Sequence, residues 1–384
     1  MFIKRYIKLI FLVLVLIPNT LKSNDLPYHK LSSYEGLHFM VGFMENETFV
    51  AEPNKALEQK IFITSVLNAK IKIKFGIFGS MDLDLPANEV ANIDVPLGLE
   101  NIDSEEIMNK LVEINSDVPI MVYAFSTIPK SSDSYAAIPI ANWGNEYIAV
   151  SLPNDQYNKV TLDSVKDFTP RSSEILIMSA YDGTEVTIIP KSLTRKAKQV
   201  NQEYKIKLDK GQCYLVQSWQ YFRGEGDLSG TIIRSTKPVG VLSGHVRTAL
   251  LQGFVEQPPD SKDHLVEMLP PVASWGKNYI STPFGTNPNK GDYFKIIAKD
   301  PGTRIDIITA KGTETLQFSA TELIKTVIGL NEPAQWISTA PVQIAQFMYR
   351  ANDTLETAFY DPSMVILSPI EQYVSKIKIG RAHV

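Results

Sequence analysis

One cysteine, Cys213, stands in 384 residues. A lone thiol makes no internal disulfide and completes no cysteine-rich zinc site. Histidine is almost as scarce, at five, and no two lie at metal-ligand spacing. Positive charge is in deficit: 38 Lys and Arg against 42 Asp and Glu leave a formal charge of −4. That excludes the basic field nucleic-acid binding needs. No stretch reaches the ~18 consecutive apolar residues of a membrane-spanning helix, so no stable membrane span is expected. The serine-elbow, zinc-protease, phosphate-loop and dinucleotide fingerprints are missing as well. What is present is an ordinary apolar fraction, 44%, and a length suited to two or three globular domains.

The amino terminus sets an expected compartment. Lys4, Arg5 and Lys8 precede an apolar run at 9–17 that Pro18 ends. This charged-then-apolar layout reads as a secretory signal peptide over 1–23, too short to span a bilayer. Cleavage after Ser23 removes Lys4, Arg5, Lys8 and Lys22 and no acid, taking the formal charge from −4 to −8. A secreted, extracellular protein is expected. Two sequons, at Asn46 and Asn352, then become expected glycosylation sites. The last six residues, IGRAHV at 379–384, read as one frame of a widely used sequencing-adapter oligonucleotide. They are expected to be a foreign tail outside the fold.

The interior repeats itself. One element joins two alternating segments through a turn: IFITSVLNAKIKI at 61–73, ILIMSAYDGTEVTII at 175–189 and FKIIAKDPGTRIDII at 294–308. Apolar residues at every second position predict half-buried strands, here joined as hairpins. A second element carries a proline: INSDVPIMVYAFS at 114–126, IRSTKPVGVLSGH at 233–245 and ISTAPVQIAQFMY at 337–349. Pro119, Pro238 and Pro341 are read as opening a further strand. A third element occurs twice, as IPIANWGNEYI at 138–148 and LPPVASWGKNYI at 269–280.

These spacings predict an all-β chain of tandem β-sandwich-like modules, three related repeats of about 105–120 residues. The expected division is module 1 over 24–130, module 2 over 131–256 and module 3 over 257–378. Polar, proline-containing stretches at 127–134 and 257–263 serve as linkers. One helix is predicted at 103–114, with Asp103 capping and Ile107, Leu111 and Ile114 on one face. Modules of this size bury enough surface to fold without disulfides.

The segments EILIMSAYDGTEVTI, DLSGTIIRSTKPVGVLSGH and HLVEMLPPVASWGKNYISTPF resemble the amino-terminal domain family of IgGFc-binding protein, from about Gly36 to Val374. The resemblance implies an extracellular β-rich module of a mucus-associated protein, a binder of protein or glycan. No residue pattern in the sequence identifies an Fc contact.

Candidate chemistry is thin. His245 closes the Ser243-Gly244-His245 strand end and could act as a base or metal ligand beside Asp227 or Asp263; a polar strand end is the expected role. The acid pairs Asp82/Asp84, Glu105/Glu106, Asp260/Asp263 and Asp300/Asp306 are read as solvated loop charges. Trp143 and Trp275 are read as repeated packing residues rather than a sugar platform, and Cys213 as a buried thiol. Loops at 245–257 and 287–292 are candidate ligand surfaces. No catalytic residue, cofactor or metal site is assigned. The expected function is a non-enzymatic extracellular binding module; the alternative is a secreted hydrolase using loop carboxylates.

Overall fold

The computed structural model describes residues 34–47, 57–128, 131–160, 166–219, 224–248, 250, 262–284, 291–348 and 362–373. The signal-peptide region, Asn352 and the tail at 379–384 lie outside them. The first repeat holds β1 (Gly36–Val41), β2 (Phe43–Met44), β3 (Glu58–Thr64), β4 (Ala69–Phe75) and β5 (Ser80–Leu85). It continues with β6 (Val90–Asp94), β7 (Glu100–Asn101), β8 (Ile107–Met108), β9 (Val112–Ile128) and β10 (Ser131–Ala136). The second holds β11 (Gly144–Ile148), β12 (Asp155–Val160), β13 (Lys166–Arg171), β14 (Ser173–Ser179) and β15 (Thr184–Ile189). To these it adds β16 (Tyr204–Leu208), β17 (Cys213–Gln217), β18 (Ile232–Thr248) and β19 (Asp263–Met268). The third holds β20 (Gly276–Ser281), β21 (Asp292–Ala298), β22 (Arg304–Thr309) and β23 (Gly312–Gln317). It ends with β24 (Ile324–Leu330), β25 (Ala334–Phe347) and β26 (Met364–Ile366). Helix among the described residues is limited to single 3-10 turns, none long and apolar enough to cross a membrane.

The proline element is one long strand, and the proline is its bend rather than its start. Before Pro119, β9 pairs with β4 and β1; after it, with β3 and β10. Around Pro238, β18 pairs with β15 and β11, then with β14 and β19. Around Pro341, β25 pairs with β22 and β20, then with β21 and β26. Proline lacks the N–H a ladder requires, so it sits where the strand leaves one sheet for the next. Each repeat is therefore two four-stranded sheets sharing one bent strand. The expected hairpins are corrected accordingly: β3 and β4, β14 and β15, β21 and β22 flank the long strand on opposite sides of its bend and do not pair with each other.

Registers align the repeats. The residue three before each proline, Ser116, Ser235 or Ser338, faces Ile71, Val186 or Ile305. Ile61, Ile175 and Phe294 face Ala124, Ser243 and Gln346, five residues after it. The third copy slips by one relative to the sequence reading. Trp336, opposite Ile307, takes the place of Ile114 and Ile233, and Ile337 turns outward.

Some strands are buried on both faces rather than one, β14 and β21 among them. In β14, Ile175 and Ile177 enter the core of the second repeat while Leu176 and Met178 join the core of the first. In β21, Phe294 and Ile296 enter the third core while Ile297 packs with the second. The second and third repeats thus each lay one sheet face on their predecessor. The described residues of the stretch read as a linker at 127–134 belong to the paired strands β9 and β10. The predicted helix at 103–114 is absent. Glu105 has φ 59, outside the helical region, and Ile107 and Met108 form β8, which extends the edge of β17.

Candidate functional site: a buried polar seam between the first two repeats

The Ser243-Gly244-His245 strand end is built for close packing. A Cβ on Gly244 would lie 1.8 Å from the Leu265 carbonyl oxygen, so only glycine lets β19 approach there. Ser243 Oγ donates to Val150 O at 2.7 Å. His245 is fully buried. Its Nδ1 accepts from the Arg247 N–H at 3.1 Å, which leaves Nε2 to donate to Pro153 O at 3.1 Å. Burial pushes the imidazole pKa down to about 3, against the opposing pull of Asp155. The ring is neutral and both nitrogens are engaged, so it holds Arg247 and the 153 turn in place.

The proposed acid partners work elsewhere. Asp227 Oδ2 receives Lys295 Nζ at 2.5 Å and Oδ1 the Ser229 N–H at 2.8 Å. Lys295 also donates to Ser151 O at 2.6 Å, tying the third repeat to the second. Asp263 Oδ1 receives the Ser132 N–H at 2.5 Å, and Asp133 Oδ2 the Val266 N–H at 2.8 Å. The two aspartates clip β10 and β19 side by side.

Next to His245 lies an ion cluster that nothing in the sequence pattern marks. Glu47 receives Arg171 through both oxygens at 2.9 Å and Arg247 NH1 at 3.0 Å. Lys262 pairs with Asp155, and Arg247 Nε donates to Lys262 O at 2.9 Å. All five side chains are buried, and forked guanidinium–carboxylate pairing suits that burial. Arg171 and Arg247 lie 124 and 200 positions from Glu47, so no local motif could have disclosed the set. A second cluster lies alongside. Gln217 Nε2 donates to Glu45 at 2.7 Å and Glu174 at 3.0 Å. Burial raises both carboxyls, Glu174 well above the ordinary range.

Asn46 is the one of the two expected glycan sites that lies among the described residues. It is fully buried, and Nδ2 donates to Ser126 Oγ at 3.3 Å and Ser131 O at 3.1 Å. A glycan needs that nitrogen in solvent. Glu105 accepts from Thr194 Oγ1 at 2.8 Å and Glu106 pairs with Lys196. Asp84 and Asp82 face Lys70 and Lys72 across β4 and β5. Cys213 Sγ donates to Asn101 Oδ1 at 3.1 Å, and burial raises the thiol to about 12. Among the described residues no three His, Cys, Asp or Glu side chains converge to hold a metal ion. Most of the loops at 245–257 and 287–292 lies outside the described residues.

The tryptophans are packing residues. Trp143 Nε1 donates to Ile138 O at 2.9 Å and Trp275 Nε1 to Pro270 O at 3.3 Å. Tyr147 and Tyr279 then clasp the long strand, donating to Val239 O and Val342 O just past each proline. Gly36, Gly144 and Gly276 lie under Pro139, Pro271 and Pro369, where a Cβ would come within 2.2–2.4 Å. The Pro369 turn is a third copy of the element, its Tyr373 replacing tryptophan.

Fold and seam together define a class: stacked all-β modules in which the titratable side chains serve as ties between modules. The family model described as IgGFc binding protein matches residues 133–382, and the chain belongs to that family. It is also similar to the human IgGFc-binding protein, 24% identical over 288 residues, 74% of this chain. That alignment spans about 5% of the length of the human protein.

Proposed function

We propose that this chain is a secreted, non-enzymatic extracellular binding module whose ligand is a protein or a glycan, placed in a mucus or surface coat. The observation that carries the reading is the employment of the polar groups. Asp227, Asp263 and Glu47 spend their hydrogen bonds holding repeats together, and His245 spends its own bracing Arg247 and the 153 turn inside the second repeat, which suits a rigid scaffold displaying loops. Family membership supports it, and the name of the human relative makes the Fc region of IgG the first protein to try. Asn352 is its proposed glycan acceptor. Glu45 and Glu174 are the only described carboxyls brought onto one shared side-chain amide, but Glu174 is sealed from solvent, which argues against the hydrolase alternative. The test is surface-based binding of the purified chain to IgG Fc and to a mucin-type glycan panel, beside a hydrolase screen. Saturable binding without turnover is expected. Turnover that disappears in Glu174→Gln would overturn the reading.

A further inference from the structure

The same sheet face is buried twice and left open once. In the second repeat, Leu176, Met178, Ala180 and Leu242 lie on the first repeat's core. In the third, Ile297, Ala345 and Phe347 lie on the second's. By register the first repeat presents Phe62, Thr64, Tyr123 and Phe125 at these positions, with Val66 and Leu67 in the adjoining turn. Tyr123 is 37% exposed, Val66 40% and Leu67 50%. Phe62 and Phe125 pack edge to face at 6.5 Å on this outer face.

The receiving side is open at the other end. Four residues after each conserved-register glycine stand Met40, Ile148 and Ile280, facing Glu113, Ile232 and Gln335. Met40 and Ile148 are covered by the following repeat, at 1% and 2% exposure, whereas Ile280 is 47% exposed. Ile308 lies beyond the same Gln335 on β22, 36% exposed. An ion pair crosses each internal joint: Lys210 to Glu113 at 2.8 Å, and Lys299 to Glu146.

We propose that copies of this chain associate head to tail, the Tyr123–Leu67 face of one copy seating on the Ile280–Ile308 face of the next. The contact repeats the geometry of the two internal joints, so it is heterologous and leaves a free face at each end. A second copy is the occupant because it carries both halves of a joint that the chain already makes twice. Exposed apolar patches rimmed by polar groups mark such surfaces.

The test is sedimentation velocity across a concentration series, with wild type, Leu67→Asp and Ile280→Asp. Both substitutions are on exposed side chains, and circular dichroism with thermal unfolding confirms that each variant folds. Wild type should grow in mass with concentration. Each variant alone should weaken association at least about tenfold. Mixing the two variants should restore a dimer and nothing larger, because the remaining faces are both charged. Wild type that stays monomeric up to about 100 μM overturns the proposal. So does loss in Leu67→Asp alone, which would mean a symmetric contact. A glycan bound through Tyr123 by a strictly monomeric chain also overturns it.

Discussion

Glu100 keeps its carboxyl against the Asn46 N–H at 2.9 Å in an interior that offers little else to a charge. Burial raises its pKa from 4.5 to about 8. Between those values the folded chain holds a proton that the unfolded chain has released, so its contribution to stability falls as pH rises from about 4.5 to about 8. Asp133, likewise raised to about 8, acts in the same direction. His245 and His264 act oppositely: with pKa values lowered to about 3 and about 4, their contribution is lost as pH falls below about 6.5. Denaturant midpoints should therefore peak at about pH 5–6.5. Glu100→Gln should flatten the alkaline limb and stabilise the chain at pH 8.5 by on the order of 2 kcal/mol. An unchanged alkaline limb would remove Glu100 from that account. The Glu47 cluster gives a second test. Arg171→Met should cost about 3 kcal/mol, because it leaves the buried Glu47 carboxylate with Arg247 as its one remaining cation, and adding Glu47→Gln should recover part of the loss. Full additivity in that double-mutant cycle would mean the pair is not coupled. None of the five cluster residues was legible beforehand, since a charge in sequence carries no sign of burial.

At the scale of elements, glycine does two different jobs. Gly244 has ordinary backbone and no room: Gly244→Ala should cost about 3 kcal/mol or more, since the Leu265 backbone cannot move aside as a side chain could. Gly302 has φ 74 and nothing within 4 Å, so Gly302→Asn should stay within about 1 kcal/mol. Equal losses in urea titrations of the two would contradict that division. The alternating segments were readable as strands because their period of two survives any packing. Their partners were not, because pairing depends on where Pro119, Pro238 and Pro341 turn the long strand between sheets. The apparent helix at 103–114 fails for a related reason: Leu111, just before β9, and Ile114, within it, are both buried in the first core, and their spacing mimics a helical stripe. Continuous apolar runs such as ILIM at 175–178 did carry a readable signal of burial on both faces.

For the whole molecule, three repeats without a crosslink stand together by stacking. Each adds an apolar face to its predecessor and then seals the joint with buried charge: Glu47 with Arg171 and Arg247 at the first, Lys295 with Asp227 at the second. Breaking a buried pair is costly while making it gains little, so these ties fix the relative placement of repeats more than they add stability. The first repeat's outer face and the third repeat's far face are what such a stack leaves over, and they are where partners of the assembly are to be sought.

Strand content, the threefold repeat, the proline register and the family resemblance were all carried by the sequence itself, because each rests on spacing along the chain. Which faces meet, which charges are buried and the burial of the Asn46 side chain were decided only in three dimensions. Those depend on residues as far apart as Glu47 and Arg247, whose meeting is set by how one folded repeat lies upon another.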